Sequence, residues 1–105
     1  MNKTLKNPLK LKDGTEFAVG ESFELRWAKE RPGITFATSA DGREIKLGTS
    51  RLWRYFGTPK PPTIATLTKW EFDSGTCKTV LGNKTEPDGH DVHGAPSWML
   101  VMGVI

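Results

Sequence analysis

The sequence predicts an α+β protein. An N-terminal antiparallel β meander or small barrel of about four strands precedes two short helices and a C-terminal β-hairpin. Three observations predict this. Two Asp-Gly pairs sit between short alternating runs, eleven Gly and seven Pro punctuate only 105 residues, and the pattern changes to helical spacing after Gly48. Four Trp, five Phe and one Tyr give enough bulk for a core. The length fits one domain, or two small lobes at 1–48 and 49–105 sharing a core.

Leu9 to Lys12 and Glu16 to Val19 flank Asp13-Gly14-Thr15, a hairpin signal because the turn needs positive φ. Ser22 to Trp27 alternates, with Phe23, Leu25 and Trp27 on one face and Glu24 and Arg26 on the other. Lys29 to Gly33 reads as a loop and Ile34 to Thr38 as a strand. Asp41-Gly42 makes a second turn, and Arg43 to Leu47 returns with Ile45 and Leu47 inward.

Thr49 or Ser50 is the expected N-cap of a short helix carrying Leu52, Trp53, Tyr55 and Phe56 and ended by Gly57. Thr58-Pro59-Lys60-Pro61-Pro62 is a stiff connection. Thr63 caps a second helix, near Ile64 to Asp73, with Ile64, Leu67 and Trp70 inward and Ser74-Gly75 at its end. Thr76 to Leu81 is a strand candidate, Gly82 to Pro96 a long polar loop, and Ser97 to Met102 a final strand. The apolar end at Val104-Ile105 is expected to be buried.

Cys77 is the only cysteine, which excludes an internal disulfide and a four-cysteine zinc site. Its place beside Val80 and Leu81 predicts a buried thiol rather than a nucleophile partnered by His90 or His93. No apolar run is long enough for a signal peptide or a membrane span, so the expectation is a cytoplasmic protein with no membrane partner. Glu86, Asp88, His90, Asp91 and His93 crowd one loop and are metal-ligand or general-base candidates. They match no established zinc spacing, and Asp88-Gly89 reads more simply as a turn. No phosphate-cradling Gly-rich loop or nucleophile motif appears. Neither a catalytic residue, a metal nor a cofactor is assigned, and the chain reads as a binding protein rather than an enzyme.

Net charge is +3, but it is unevenly spread. Lys46, Arg51, Arg54, Lys60 and Lys69 fall in a stretch with no acidic residue, and four lysines occupy residues 3 to 12, again without an acid. Such stretches attract phosphates, although they also serve as solvated surface. The order helix, turn, helix, strand, loop, strand matches a helix-turn-helix with a β-hairpin wing. The outward face of the second helix offers Ala65, Thr66, Thr68, Lys69 and Phe72 to a major groove. Thr63 at the helix start suits a phosphate, and Lys78 and Lys84 suit the backbone beside a wing spanning residues 78–98.

The run from Pro62 to Gly75 resembles the second helix of excisionase-type and MerR-type winged-helix domains. The shared roles fall on Thr66, Leu67, Thr68, Lys69, Trp70, Glu71 and Gly75, with Trp98 as the aromatic of the wing. The resemblance covers residues 49–102 at most and about 14 residues firmly. Here the wing loop is longer, the first helix shorter, and one extra residue separates Trp70-Glu71 from Gly75. What the resemblance implies is double-stranded DNA as partner and a regulatory or recombination accessory role. The DNA-binding residues would be Arg51, Arg54, Lys60, Thr63, Thr66, Thr68, Lys69, Lys78 and Lys84. The small size and the Pro96-Ser97-Trp98-Met99-Leu100 ending resemble a phage or prophage product. That supports an alternative, a phage-type protein that inhibits or redirects a host protein. RNA binding through Lys3 to Lys12 and Trp27 is a third reading, without a known RNA-binding motif to support it.

Overall fold

The computed structural model describes residues 1–73 and 77–103, apart from the side chains of residues 71–73. It is α+β. Strands β1 (Asn2–Thr4), β4 (Ser22–Trp27), β5 (Ile34–Ser39) and β6 (Glu44–Gly48) form an antiparallel sheet in the order β1-β4-β5-β6. Strands β2 (Leu9–Lys10) and β3 (Glu16–Phe17) form a separate hairpin around Asp13-Gly14, shorter than the alternation suggests. At both Asp-Gly turns glycine has positive φ, 91° at Gly14 and 88° at Gly42, a region that disfavours side chains. The Asp13 carboxylate accepts from the Thr15 amide at 2.9 Å, closing the first turn.

Alternation on β4 sets the inside of the sheet. Phe23 and Leu25 are buried, Trp27 is half-buried, and Glu24 and Arg26 face water. The Phe23 ring meets Phe17 of β3 edge-on at 5.1 Å and Phe56 edge-on at 5.7 Å. One cluster therefore joins the hairpin and the sheet to helix α1 (Leu52–Phe56), which contributes Leu52 and Phe56. Packing thus crosses the expected division after residue 48.

The entry to α1 differs from expectation. Residues Thr49–Arg51 form a 3-10 turn, and the N-cap of α1 is Arg51, with no side-chain cap. Neither Thr49 nor Ser50 caps the helix. The Thr49 hydroxyl instead donates to the Pro32 carbonyl at 2.9 Å, so the buried Thr35 hydroxyl, also 2.9 Å away, must donate to Thr49. Gly57 ends α1 in the left-handed region, as its position predicts.

The second cluster holds Leu67, Cys77, Val80, Ala95, Trp98 and Met99, with Trp70 packed against it. Helix α2 (Ile64–Asp73) supplies Leu67 and is capped by Thr63, whose hydroxyl accepts from the Thr66 amide at 3.2 Å. Ile64 is not inward but 82% exposed, because it lies on the first turn facing away from this cluster. Strands β7 (Cys77–Lys78) and β8 (Lys84–Thr85) form a small hairpin. The expected strand from Ser97 to Met102 is instead helix α3 (Trp98–Val101). Ser97 caps it, accepting from the Leu100 amide at 3.1 Å. The helix end at Ser74-Gly75, the start of the strand at Thr76, and Val104-Ile105 lie outside the described residues.

Trp27 packs against both clusters. Among the described residues its buried indole N–H has no acceptor, a cost accepted where the ring fills the junction. Trp27→Ala is expected to destabilise the protein by about 3 kcal/mol, read from the denaturation midpoint. Trp27→Phe, which keeps most of the apolar contact and removes the unpaired N–H, should cost much less.

Candidate nucleic-acid interface

The residues expected to contact DNA occupy three places. Arg51 and Arg54 stand exposed at the start and middle of the short helical segment after β6. Lys60 lies in the proline-rich connection. Trp53, half-buried, is the common support: the Arg54 guanidinium lies 5.5 Å and the Lys60 ammonium 5.1 Å from its ring centroid. These cation–π contacts hold two long side chains near one point of the surface. Trp53 itself was not foreseen as part of a site, although its basic neighbours were.

Helix α2 turns Ile64, Ala65, Thr68 and Lys69 outward, while Thr66 is half-buried. Phe72, expected on this face, lies outside the described side chains. The threonine hydroxyls are engaged within the helix. Thr63 and Thr66 lie 3.2 Å apart, oxygen to oxygen, and Thr68 donates to the Ile64 carbonyl at 2.9 Å.

The hairpin puts Lys78 and Lys84 directly opposite each other, both exposed. Like charges in that position repel. The expected wing across residues 78–98 is not one hairpin. Its second strand is β8, and the chain beyond it is a loop that ends in α3.

The ion pairs among the described residues are Met1 with Glu24, Lys10 with Glu16, Arg26 with Glu44 and Arg43 with Asp13. All lie before Lys46, and none involves the basic residues of the candidate surface.

The acidic loop works structurally. Asp91 accepts from the Thr79 hydroxyl at 2.9 Å and the Asn83 amide at 3.0 Å through one oxygen. The other takes the backbone amides of His93 at 2.9 Å and Ala95 at 3.1 Å. Burial pushes its carboxyl up, but these hydrogen bonds outweigh burial and hold it below the usual range. Thr79 is fully buried and also accepts from the amides of Leu81 and Asn83, each at 3.3 Å. Asp88-Gly89 forms a turn, with the Gly89 amide donating to the Glu86 carbonyl at 2.8 Å. A Cβ on Gly89 would stand 2.3 Å from the Thr85 hydroxyl. Among the described residues no three His, Cys, Asp or Glu side chains converge. The Cys77 thiol is buried and donates to the Glu86 carbonyl at 3.7 Å, and burial pushes its pKa up, away from a reactive thiolate.

No family model matches the chain, and no curated protein or solved structure is significantly similar to it.

Two outcomes follow from this geometry. Asp91→Asn places an amide among donors and is expected to cost about 2 kcal/mol or more. In the parent protein, the depressed Asp91 pKa adds stability above about pH 4 that is lost as pH falls through the lower folded-state value. The variant should show a smaller loss over that acid range in denaturant titrations. Lys84→Glu turns a repulsive cross-strand pair into an attractive one and should raise stability by about 0.5 kcal/mol at low salt, an increment that added salt removes.

Proposed function

We propose that this chain is a small, non-enzymatic DNA-binding protein. Its contact surface comprises α1, the connection at residues 58–62 and the outer side of α2. The observation that carries this reading is the separation of paired from unpaired charge. Among the described residues, every ion pair lies before Lys46, whereas Arg51, Arg54 and Lys60 have no carboxylate within pairing distance. A cation without an internal partner can neutralise a phosphate and release its counterions.

Support also comes from α2. Its 10 residues span about 15 Å, and a helix fits the major groove. The small outward residues Ala65 and Thr68 permit close approach, with Ile64 beside them as an apolar contact for a thymine methyl. Lys69 reaches a base edge or a phosphate, and the Thr63-capped end approaches the backbone. Lys78 and Lys84 act as a short wing, where a phosphate between them relieves their repulsion. The arrangement is winged-helix-like in this order of parts.

A second reading, capture of a partner protein, is favoured by Val92, 93% exposed on its loop. It predicts salt-resistant binding that is lost in Val92→Asp.

The deciding experiment is titration of a labelled DNA duplex over a range of salt concentrations. Binding should weaken linearly on a log–log plot. Arg54→Ala and Lys60→Ala should each reduce the slope by about 0.9. Absence of duplex binding at low salt would reject the proposal.

A further inference from the structure

The outer face of the sheet carries cations that the helical surface does not account for. Cross-strand register aligns Arg26, Phe36 and Lys46 in one row across β4, β5 and β6. Their neighbours Leu25, Ala37 and Ile45 are buried, so by alternation this row faces outward. The Arg26 guanidinium sits 4.4 Å and the Lys46 ammonium 5.9 Å from the Phe36 ring centroid. Gly48, two residues beyond Lys46 in β6, faces the same way. A Cβ there would lie 4.0 Å from the Cγ and Cδ of Arg51. The Arg51 stem therefore lies beside the end of β6, within ordinary contact distance of a side chain placed at residue 48.

The acids on this face are already engaged. Glu44 accepts from Arg26 at 2.9 Å, and Glu24 pairs with the N-terminal ammonium. Among the described residues no carboxylate pairs with Lys46 or Arg51. Two residues of extended chain carry β6 about 7 Å from Lys46 to Gly48, and the Arg51 stem lies beside that end of the strand. Arg54 follows Arg51 by about one helical turn.

The geometry points to the outer sheet face as a second phosphate track for duplex DNA: Lys46 and Arg51 hold backbone beyond the segment held by Arg54 and Lys60. Phe36 supports Lys46 through its ring, and Glu44 holds Arg26 aside. The inference rests on the DNA-binding reading above and assigns the β half a part in it. The ligand class is the phosphodiester backbone, read without regard to sequence.

The test is the same salt titration with mixed-sequence duplex and, separately, the matching single strand. Lys46→Ala and Arg51→Ala should each lower the log–log slope by about 0.9 and weaken duplex binding alike across sequences. Lys10→Ala, on the separate hairpin, should leave it unchanged. Gly48→Glu adds a carboxylate beside Arg51 at a backbone of φ −64° and ψ 126°, which accepts a side chain. It should weaken binding about tenfold without moving the melting temperature. If Arg54→Ala and Lys60→Ala weaken binding while the sheet variants do not, the second track is overturned and the DNA reading stands. If the parent protein binds no duplex, both fall. Tighter binding of the single strand, lost in Phe36→Ala, would also overturn the track, because it would assign this face to base stacking.

Discussion

The edge-to-face contacts of Phe23 with Phe17 and Phe56 are what the rest of the structure depends on. The β2–β3 hairpin, β4 and the sequence-distant helix α1 bury their apolar surface at this one place. The β2–β3 hairpin is too short to stand alone, and α1 is too short to be stable as an isolated helix. Both are held by rings that meet the inner face of β4. Once that face is fixed, the other is fixed too, since successive side chains on a strand point to opposite sides. The positions of Arg26, Phe36 and Lys46 on the outside are thus consequences of Phe23 and Leu25 on the inside.

The second cluster solves a different problem. It must order a long polar loop with little regular structure. Asp91 does so by accepting four hydrogen bonds from residues on both sides of the loop. Bonds to an ionised acceptor are about twice as strong as neutral ones, so one carboxylate replaces the ladder a longer hairpin would have supplied. Thr79 and Ser97, both fully buried, bond further backbone groups, Thr79 accepting from the amides of Leu81 and Asn83. Ser97 pairs with Thr79 across a β-bridge, donates to the Pro87 carbonyl and caps α3.

Much of the β half was readable because its signals are local. The hairpin turns at Asp13-Gly14 and Asp41-Gly42 use positive φ, and β4 alternates cleanly, so its bounds of Ser22 and Trp27 follow from the pattern alone. The failures occur where local pattern is silent. Trp98 to Val101 is an apolar run without periodicity, equally compatible with a buried strand or helix; Ser97 as an N-cap was the available signal for helix. Thr49 is a good cap by type, but a tertiary partner, the Pro32 carbonyl, took its hydroxyl. Ile64 has the spacing of a core position, yet only Leu67 on the early part of α2 reaches a buried surface. The basic stretch was visible in the sequence. That Trp53 and Phe36 organise it was not, because cross-strand and connector contacts set those pairs.

On the DNA-binding reading, the hydrogen bonds inside α2 limit what the helix can recognise. The proton of Thr68 is committed to the Ile64 carbonyl, and Thr63 spends its hydroxyl on the cap. What remains facing outward is methyl groups, Ile64 and the Lys69 ammonium. Methyls distinguish thymine weakly, and a lone lysine lacks the paired donors with which arginine reads guanine. The arginines of the surface, Arg51 and Arg54, lie on the preceding helical segment, where they suit phosphates rather than base edges. Affinity would then come mainly from the backbone, and sequence preference would be modest. A protein of this design would select DNA by shape and charge density, and its binding would respond more to salt than to sequence.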